Sequence, residues 1–419
     1  MTEVNRKVTY KLYLNKAQAS ALREMLALHQ RLYNACLEQR RSAWEWRQRI
    51  ERYRDLTEDE LKLYRSTRSF YGQKLQLKDI RAELSEYRAL SYNSCRITFQ
   101  RLDRAYQNFF RRVREGKSGR ELGFPRFKSV DRFPGFGFEK HGSGWRFTPG
   151  DEWKHGRLRI KSIEGTIKCR GRARTPGEIK TCELLHRDGV WHLSLTVACE
   201  PERRCGAEAA GLDWGVATFA TLVSDKGTVE EVDNQRFLER AERKLKREQR
   251  SLSRKVRGSS NRRKQRIQYG RAFRHLANRR RDHHHQLTKR LVNSYRLIAT
   301  EKLTVKGMTA TAKGTAENPG KNVKAKAGLN RRILDTGPGA FLQLLRYKLE
   351  EAGGEWVEVP TRKVKPSQTC PNCGHQRKKK LSERTHRCEV CGCTEPRDRA
   401  AARVMLHWAL NGSPVAAAA

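Results

Sequence analysis

The sequence predicts a multidomain α+β protein. Three observations carry this. Alternating apolar and polar residues in the second quarter of the chain read as antiparallel strands. Long amphipathic stretches on either side read as helices. Two cysteine pairs, Cys370-Pro371-Asn372-Cys373 and Cys388-Glu389-Val390-Cys391, have the spacing of a four-thiolate zinc site.

A length of 419 residues gives room for about two to four domains with real cores. Only 37% of residues are hydrophobic while 32% are charged, so the cores are modest and the surface large. Lys and Arg number 89 against 46 acids, a formal net charge of +43. Such an excess repels itself, and a polyanion relieves it. The basic residues run the whole length with no amphipathic anchor, which favours nucleic acid over a membrane surface. Residues 1–30 read without an apolar secretory segment, and no stretch approaches the length of a membrane span. The cysteines outside the two pairs lie singly, which suits a reducing cytoplasm better than a disulfide framework.

Taken in order, Val8 to Leu14 alternates as a strand. Residues 17–54 read as a helix, with Leu22, Met25, Leu26, Leu32, Tyr33 and Cys36 on one face as ordinary core. Residues 57–90 are helical with breaks. Residues 91–114 form a second amphipathic helix, with Leu102, Tyr106, Phe109, Phe110 and Val113 expected inward and Arg101, Arg104, Arg111, Arg112 and Arg114 outward. From about residue 126 the period becomes two: 158–161, 166–169, 179–185 and 191–197 read as strands of a small antiparallel barrel or sandwich, which the N-terminal strand completes. Asp188-Gly189 is a tight-turn pair between two of them. Of the aromatics, Phe99, Tyr106, Trp145 and Trp191 are read as core rather than base-stacking residues.

After Gly211, residues 212–222 read as strand-turn-strand, and Phe237 to Val292 as a basic helical segment broken at Gly258-Ser259-Ser260 into two antiparallel arms, a surface for RNA or a hybrid duplex. Consecutive His283, His284 and His285 point to different faces and cannot share a metal; they read as a solvated or RNA-facing patch. A short apolar strand at 297–299 ends at Glu301. Residues 306–328 read as a flexible loop, Ala340 to Ala352 as a helix closed by Gly353-Gly354, and Trp356 to Val359 as a strand. A helix follows from Asp398 to Leu410, and a disordered tail over 412–419.

The zinc ligands expected are Cys370, Cys373, Cys388 and Cys391. Cys393 is the competitor, set aside because Cys388 and Cys391 repeat the two-residue gap of the first pair. Between the pairs, residues 374–387 are rich in Lys and Arg, as in a ribbon that touches phosphate. Three acids have the context of catalytic ligands. Asp213 lies in Gly211-Leu212-Asp213-Trp214-Gly215, where small neighbours are expected to admit a backbone and an ion. Glu301 ends a strand and Asp398 opens a helix. A strand acid, a later strand acid and a terminal-helix acid make the layout of an RNase H-like (RuvC) nuclease core, where hard carboxylates hold two divalent ions, Mg²⁺ or Mn²⁺.

On these residues the chain resembles the TnpB family, RNA-guided DNA endonucleases of insertion sequences related to small type V CRISPR effectors. Gly211 to Gly215 resembles the first RuvC motif and 299–305 the second. Residues 329–348 and 366–370 resemble the segments leading into the family's ribbon. Leu32-Tyr33-Asn34, Phe109-Phe110-Arg111-Arg112 and residues 123–128 match in the first half. The third motif departs: the family's D-R-D-x-N-A-A is here Pro396-Arg397-Asp398-Arg399-Ala400-Ala401-Ala402. The acid at Asp398 is kept, while Pro396 and Ala400 replace an Asp and an Asn.

The resemblance implies an RNase H-like RuvC nuclease core with an inserted zinc ribbon, preceded by a small β-barrel (wedge) domain carrying a helical recognition lobe. The divisions it implies are a wedge strand at 1–14, a recognition lobe at 15–125, and the wedge barrel at 126–207. The larger RuvC segment follows at 208–365 with its arms at 237–292, then the ribbon at 366–394, the closing RuvC segment at 395–411 and the tail. It implies catalytic Asp213, Glu301 and Asp398 binding Mg²⁺ or Mn²⁺, structural Zn²⁺, a guide RNA, and double- and single-stranded DNA targets beside a short flanking motif. A monomer carrying one RNA, acting in a prokaryotic cytoplasm at the nucleoid, completes the expectation. The alternatives are a CRISPR type V effector with the same chemistry, and an RNA-guided DNA-binding repressor with weak or no cleavage.

Overall fold

The computed structural model describes residues 3–415 apart from 53, 316 and 381. Two compact units divide at residues 201 and 202.

The first unit begins with strand β1 (Val4–Tyr13) and a long helix α1 (Lys16–Ile50). Helix α1 starts where Asn15 and Gln18 form a reciprocal capping box, which satisfies two otherwise orphaned backbone donors. Its apolar stripe is buried as the periodicity predicts. Three shorter helices follow, α2 (Glu58–Arg68), α3 (Phe70–Leu75) and α4 (Leu77–Glu83), before α5 (Tyr92–Arg114). Helix α5 departs from expectation beyond Leu102. Phe110 and Val113 are exposed, whereas Arg101 turns inward to Glu183 at 3.2 Å. The helix has left the main core by its last two turns, where Phe109 meets only Phe110 and Phe124 among the rings of the described residues.

The strands β2 (Gly135–Phe138), β3 (Trp145–Pro149), β4 (Lys154–Ile160), β5 (Ile167–Arg172), β6 (Glu178–Arg187) and β7 (Val190–Cys199) join β1 in one antiparallel sheet, ordered β2-β6-β7-β1-β5-β4-β3. The N-terminal strand is central rather than a closing edge: it pairs with β7 from Val4↔Cys199 to Lys11↔His192, and with β5. The sheet curls until Phe138 of one outer strand meets Trp145 of the other, ring centroids 6.3 Å apart. Asp188 (φ 48°) and Gly189 (φ 74°) make the β6–β7 turn, the left-handed pair that matches strand twist in a two-residue hairpin. Phe99, Trp145 and Trp191 are core, as expected. Asn34 donates to Lys128 O and accepts from Lys128 N, both at 3.0 Å, which ties two of the segments carrying the family resemblance to each other.

The second unit is built on a five-stranded sheet. Strands β8 (Glu208–Trp214), β9 (Thr218–Ser224) and β10 (Val229–Asp233) form an antiparallel meander. Helices α6 (Phe237–Ser253) and α7 (Ser260–Ser294) are the two basic arms, packed together and broken where the sequence indicates. Strand β11 (Tyr295–Glu301) then returns parallel to β8. Helices α8 (Val305–Met308), α9 (Val323–Thr336) and α10 (Pro338–Glu351) precede β12 (Glu355–Val359), parallel to β11. The sheet order is β10-β9-β8-β11-β12. A short helix α11 (Thr361–Val364), the ribbon strands β13 (Thr385–Arg387) and β14 (Thr394–Pro396), and helix α12 (Arg397–Asn411) complete the unit.

Alternation separates the sheet's two faces. Ala210, Leu212 and Ile298 pack with Leu291, Phe341 and Leu345 from α7 and α10. Ala209, Leu297 and Ala299 pack with Val404, Met405 and Leu406 of α12 on the other face. Three expectations need correction. Residues 323–328, read as loop, are the start of α9. His284 is not a solvated patch: it is buried, its Nε2 lies 2.9 Å from Thr336 O, and its ring packs on Phe219 and Phe341. Residues 412–415, read as tail, turn back on the ribbon, so that a Cβ on Gly374 would lie 3.4 Å from Val415 Cγ1; residues 416–419 lie outside the described residues. Among the described residues no helix is long and apolar enough to cross a membrane.

Candidate metal centres

Strands β8 and β11 run parallel as neighbours, paired from Ala209↔Leu297 to Leu212↔Thr300. The next residues, Asp213 and Glu301, therefore stand at the same end of the sheet. By alternation they point to the face that carries α12. Helix α12 comes very close there. A Cβ on Gly211 would sit 1.8 Å from Ala402 O, so only glycine allows this contact. The sequence suggests an approaching ion or nucleic-acid backbone at that glycine; the structure fills the space with helix backbone. Ala400, Ala401 and Ala402 are all buried. The Asn-to-Ala departure at position 400 thus places a small apolar residue at a buried position. Asp398 lies in the first turn of α12, a position where a helix favours negative charge.

The Asp213 carboxylate feels the other two. Burial, and then the Asp398 and Glu301 carboxylates, hold the Asp213 carboxyl well above the usual range, with Arg397 pulling the other way. Burial raises Glu301 as well. Each is neither fully buried nor fully exposed. None of the three forms a hydrogen bond or ion pair among the described residues. Unsatisfied like charges at one sheet end are costly in isolation, and a divalent cation relieves them. The all-carboxylate donor set suits a hard cation. Among the described residues only cysteine and histidine sets hold all their ligand atoms within 4.8 Å of one another; the three carboxyl groups are more widely spread.

One such set is Cys370, Cys373, Cys388 and Cys391, with Sγ–Sγ separations of 3.6 Å for Cys370–Cys391 and 3.5 Å for Cys373–Cys388. The two knuckles repeat one backbone design. Gly374 N donates to Cys370 O, and Gly392 N to Cys388 O, each at 3.0 Å; Cys370 N donates to His375 O, and Cys388 N to Cys393 O, each at 2.9 Å. Gly374 (φ 77°) and Gly392 (φ 72°) supply the left-handed residue each turn needs. Backbone N–H groups of Cys391 and Val390 draw the Cys388 thiol down to about 6, towards the thiolate that ligates zinc. The Cys373 and Cys391 thiols of the same cluster are shifted the other way. Four cysteine sulfurs this close together fit a tetrahedral zinc ion, which takes them as thiolates.

Sequence reasoning missed two residues here. His386 is buried, faces Lys379, and with Cys370 and Cys393 forms a second close set; Cys393 is visible from its spacing, but no spacing signal marks the histidine. Arg397 ties the ribbon to the carboxylates. Its N–H donates to Arg384 O at 2.8 Å and its Nη1 to Lys380 O at 3.0 Å, while its charge acts on Asp213. Pro396 ends β14 immediately before it, paired with Thr385.

Two family models match the chain. The OrfB_IS605 family, described as "Probable transposase", matches residues 192–312. The "Cas12f1-like, TNB domain" family matches residues 339–405. The chain is 36% identical over 312 residues, 73% of its length and 71% of the relative's, to the "Putative RNA-guided DNA endonuclease InsQ" of Escherichia coli (strain K12). It is 27% identical over 425 residues, 99% of its length and 91% of the relative's, to a "Putative RNA-guided DNA endonuclease" of Streptomyces pristinaespiralis. Its fold is similar to the protein in a Cas12f1-sgRNA-target DNA complex, with a TM-score of 0.52 at 12% identity, covering 96% of this chain and 98% of that one.

Proposed function

The chain belongs to the TnpB family of RNA-guided DNA endonucleases, and from that membership we propose that Asp213, Glu301 and Asp398 form a RuvC-type, metal-dependent active site that hydrolyses DNA. The observation that carries this is the meeting of three acids, from β8, β11 and α12, at one end of one sheet, with their charges unpaired. The order β10-β9-β8-β11-β12, antiparallel then parallel, supports reading this unit as an RNase H-like core. On this reading the curled seven-stranded sheet would be the wedge barrel, and α1 to α5 the recognition lobe.

Asp213, Glu301 and Asp398 would hold Mg²⁺ or Mn²⁺. Such ions supply an activated water and neutralise the leaving oxygen of a phosphodiester. The chain's own contribution is positional. Parallel pairing fixes Asp213 beside Glu301, the Gly211–Ala402 contact fixes α12 against them, and Arg397 offsets some of the negative charge. Cys370, Cys373, Cys388 and Cys391 would hold zinc, which locks the ribbon from which α12 starts. The basic excess would seat a guide RNA and its DNA target, with the protein reading a short flanking motif and the duplex shape while base pairing reads sequence. Eleven free cysteines suit action in a reducing cytoplasm.

The test is a guide exchange. Protein co-expressed with its RNA is given plasmids that differ only in the target segment beside the same flanking sequence. Changing only the guide should move the cut to the matching plasmid. Cutting that ignores the guide, or proceeds without RNA, would overturn the reading.

A further inference from the structure

The last turns of α5, which sequence periodicity assigns to the core, face outward into a recess of about 850 Å³ bounded by α1, α2 and α5. Trp44, Phe110 and Phe124 line it and are 55%, 46% and 44% exposed. Exposed aromatic residues of that size are unusual unless something covers them. Phe124 is not adrift: it packs edge-on to Tyr106 and Phe109, with centroids 5.8 and 5.1 Å away, so the recess has a rigid wall.

Arginines stand among these rings. Arg41, Arg47 and Arg68 share the lining; Arg47 and Arg68 cover the Tyr64 ring at 5.0 and 4.7 Å. Arg40 is buried beside them, donating to Gln73 at 3.0 Å and Asp103 at 3.2 Å, with no partner for its Nη2. Arg47 already pairs with Glu51 at 2.5 Å and Arg40 with Asp103 at 3.2 Å. Arg41 and Arg68 lie over aromatic rings and pair with no acid among the described residues. An apolar peptide would answer the rings but bring nothing to those two cations. A lipid surface would need a flat or convex face. A nucleotide answers both demands, because it has a base with a π-face for stacking and a phosphate for the rim.

We propose that this recess takes an unpaired nucleotide of the RNA, its base stacked on Trp44, Phe110 or Phe124 and its phosphates held by Arg41, Arg47 and Arg68. This rests on the reading that the chain carries RNA, and adds a site for a base outside any duplex.

The experiment uses the full chain and single-stranded ten-nucleotide probes carrying one 5-iodouracil, as RNA and as DNA. Photo-crosslinking followed by peptide mass spectrometry should place the RNA probe on Trp44, Phe110 or Phe124. Trp44→Ala with Phe110→Ala should weaken RNA binding about ten- to a hundredfold without changing the dependence on salt, because stacking releases no counterions. Arg47→Ala should instead flatten that dependence. Both aromatic side chains are exposed, so circular dichroism and melting should match the unaltered protein. Crosslinks at none of the three, affinity within about twofold of the unaltered protein, or a loss confined to the DNA probe would overturn the proposal. Guide-directed cutting by the unaltered protein is measured alongside. If it follows the guide while the recess variants bind normally, only the recess falls; if it ignores the guide while crosslinks still land here, only the guided reading falls.

Discussion

At the scale of the residue, the candidate site is a problem of charge placement. Asp213→Ala, Glu301→Ala and Asp398→Ala should each lower the rate of plasmid cutting by at least about a hundredfold and leave RNA retention unchanged, as read by nicking and by RNA recovered with the purified protein. A variant that still cuts near the original rate would remove that acid from the site. Gly211→Ala probes the support instead. Its new methyl group would meet Ala402 O at 1.8 Å, so α12 must shift. We expect a stability loss of about 1–3 kcal/mol together with a large loss of cutting, measured by urea unfolding and nicking; an unchanged rate would mean that α12 need not touch β8 there. The acids were legible because each ends or begins a recognisable element. The role of Gly211 was not, because a sequence shows that a close approach is allowed without showing what approaches. Phe110 and Arg101 failed for the same reason: a helical period gives relative directions, and only packing decides which way is inside.

At the scale of the element, the ribbon and α12 act as one piece. Strand β14 ends at Pro396 and α12 begins at Arg397, and the Arg397 side chain is held by ribbon carbonyls. Cys370→Ser with Cys388→Ser should therefore abolish both zinc content, read by elemental analysis, and DNA cutting, even in excess Mg²⁺. Thiolate–zinc ligation contributes roughly 10 kcal/mol or more to the folding of such small modules. Cutting at the original rate by a zinc-free protein would show that Asp398 is placed without the ribbon. Long elements were the legible ones: α1, the two arms and the β6–β7 hairpin all follow from period and turn residues. Strands β2, β3 and β10 were not read, since four or five residues give too short a pattern, and all four residues of β2 are buried, which hides alternation.

At the scale of the whole molecule, each unit buries a neutral histidine, and acid should work against both. In the first unit His29 lies between Thr98 Oγ1 at 2.8 Å and Ser94 Oγ at 2.7 Å. Burial, with Arg101 adding to it, draws it down from 6.5 to about 3. Burial likewise lowers His284 in the second unit to about 4. The folded state resists a proton that the unfolded chain accepts, so this stability is complete above pH 6.5 and is lost as pH falls towards the folded values. Each histidine should contribute a slope of about 1.4 kcal/mol per pH unit in that window. Urea midpoints of the full chain should fall steadily from pH 6.5 to pH 4.5, and less steeply in His29→Gln. The raised carboxyls of Asp213 and Glu301 act in the opposite sense, so the comparison decides: an unchanged slope in His29→Gln would show that His29 already carries its proton in the fold.

The route of the chain through the second unit also sets an order in time. Strand β8 emerges from the ribosome first, then the arms and β11, and α12 last, after the ribbon. Asp213 and Glu301 can pair as soon as their strands do, but Asp398 must wait for almost everything between. A growing chain therefore presents its basic helices to RNA before it possesses a complete set of acids. On the proposed assignment, capacity to hold nucleic acid would precede capacity to cut it, and the newly made protein would be harmless to DNA until its last helix docks against a single glycine.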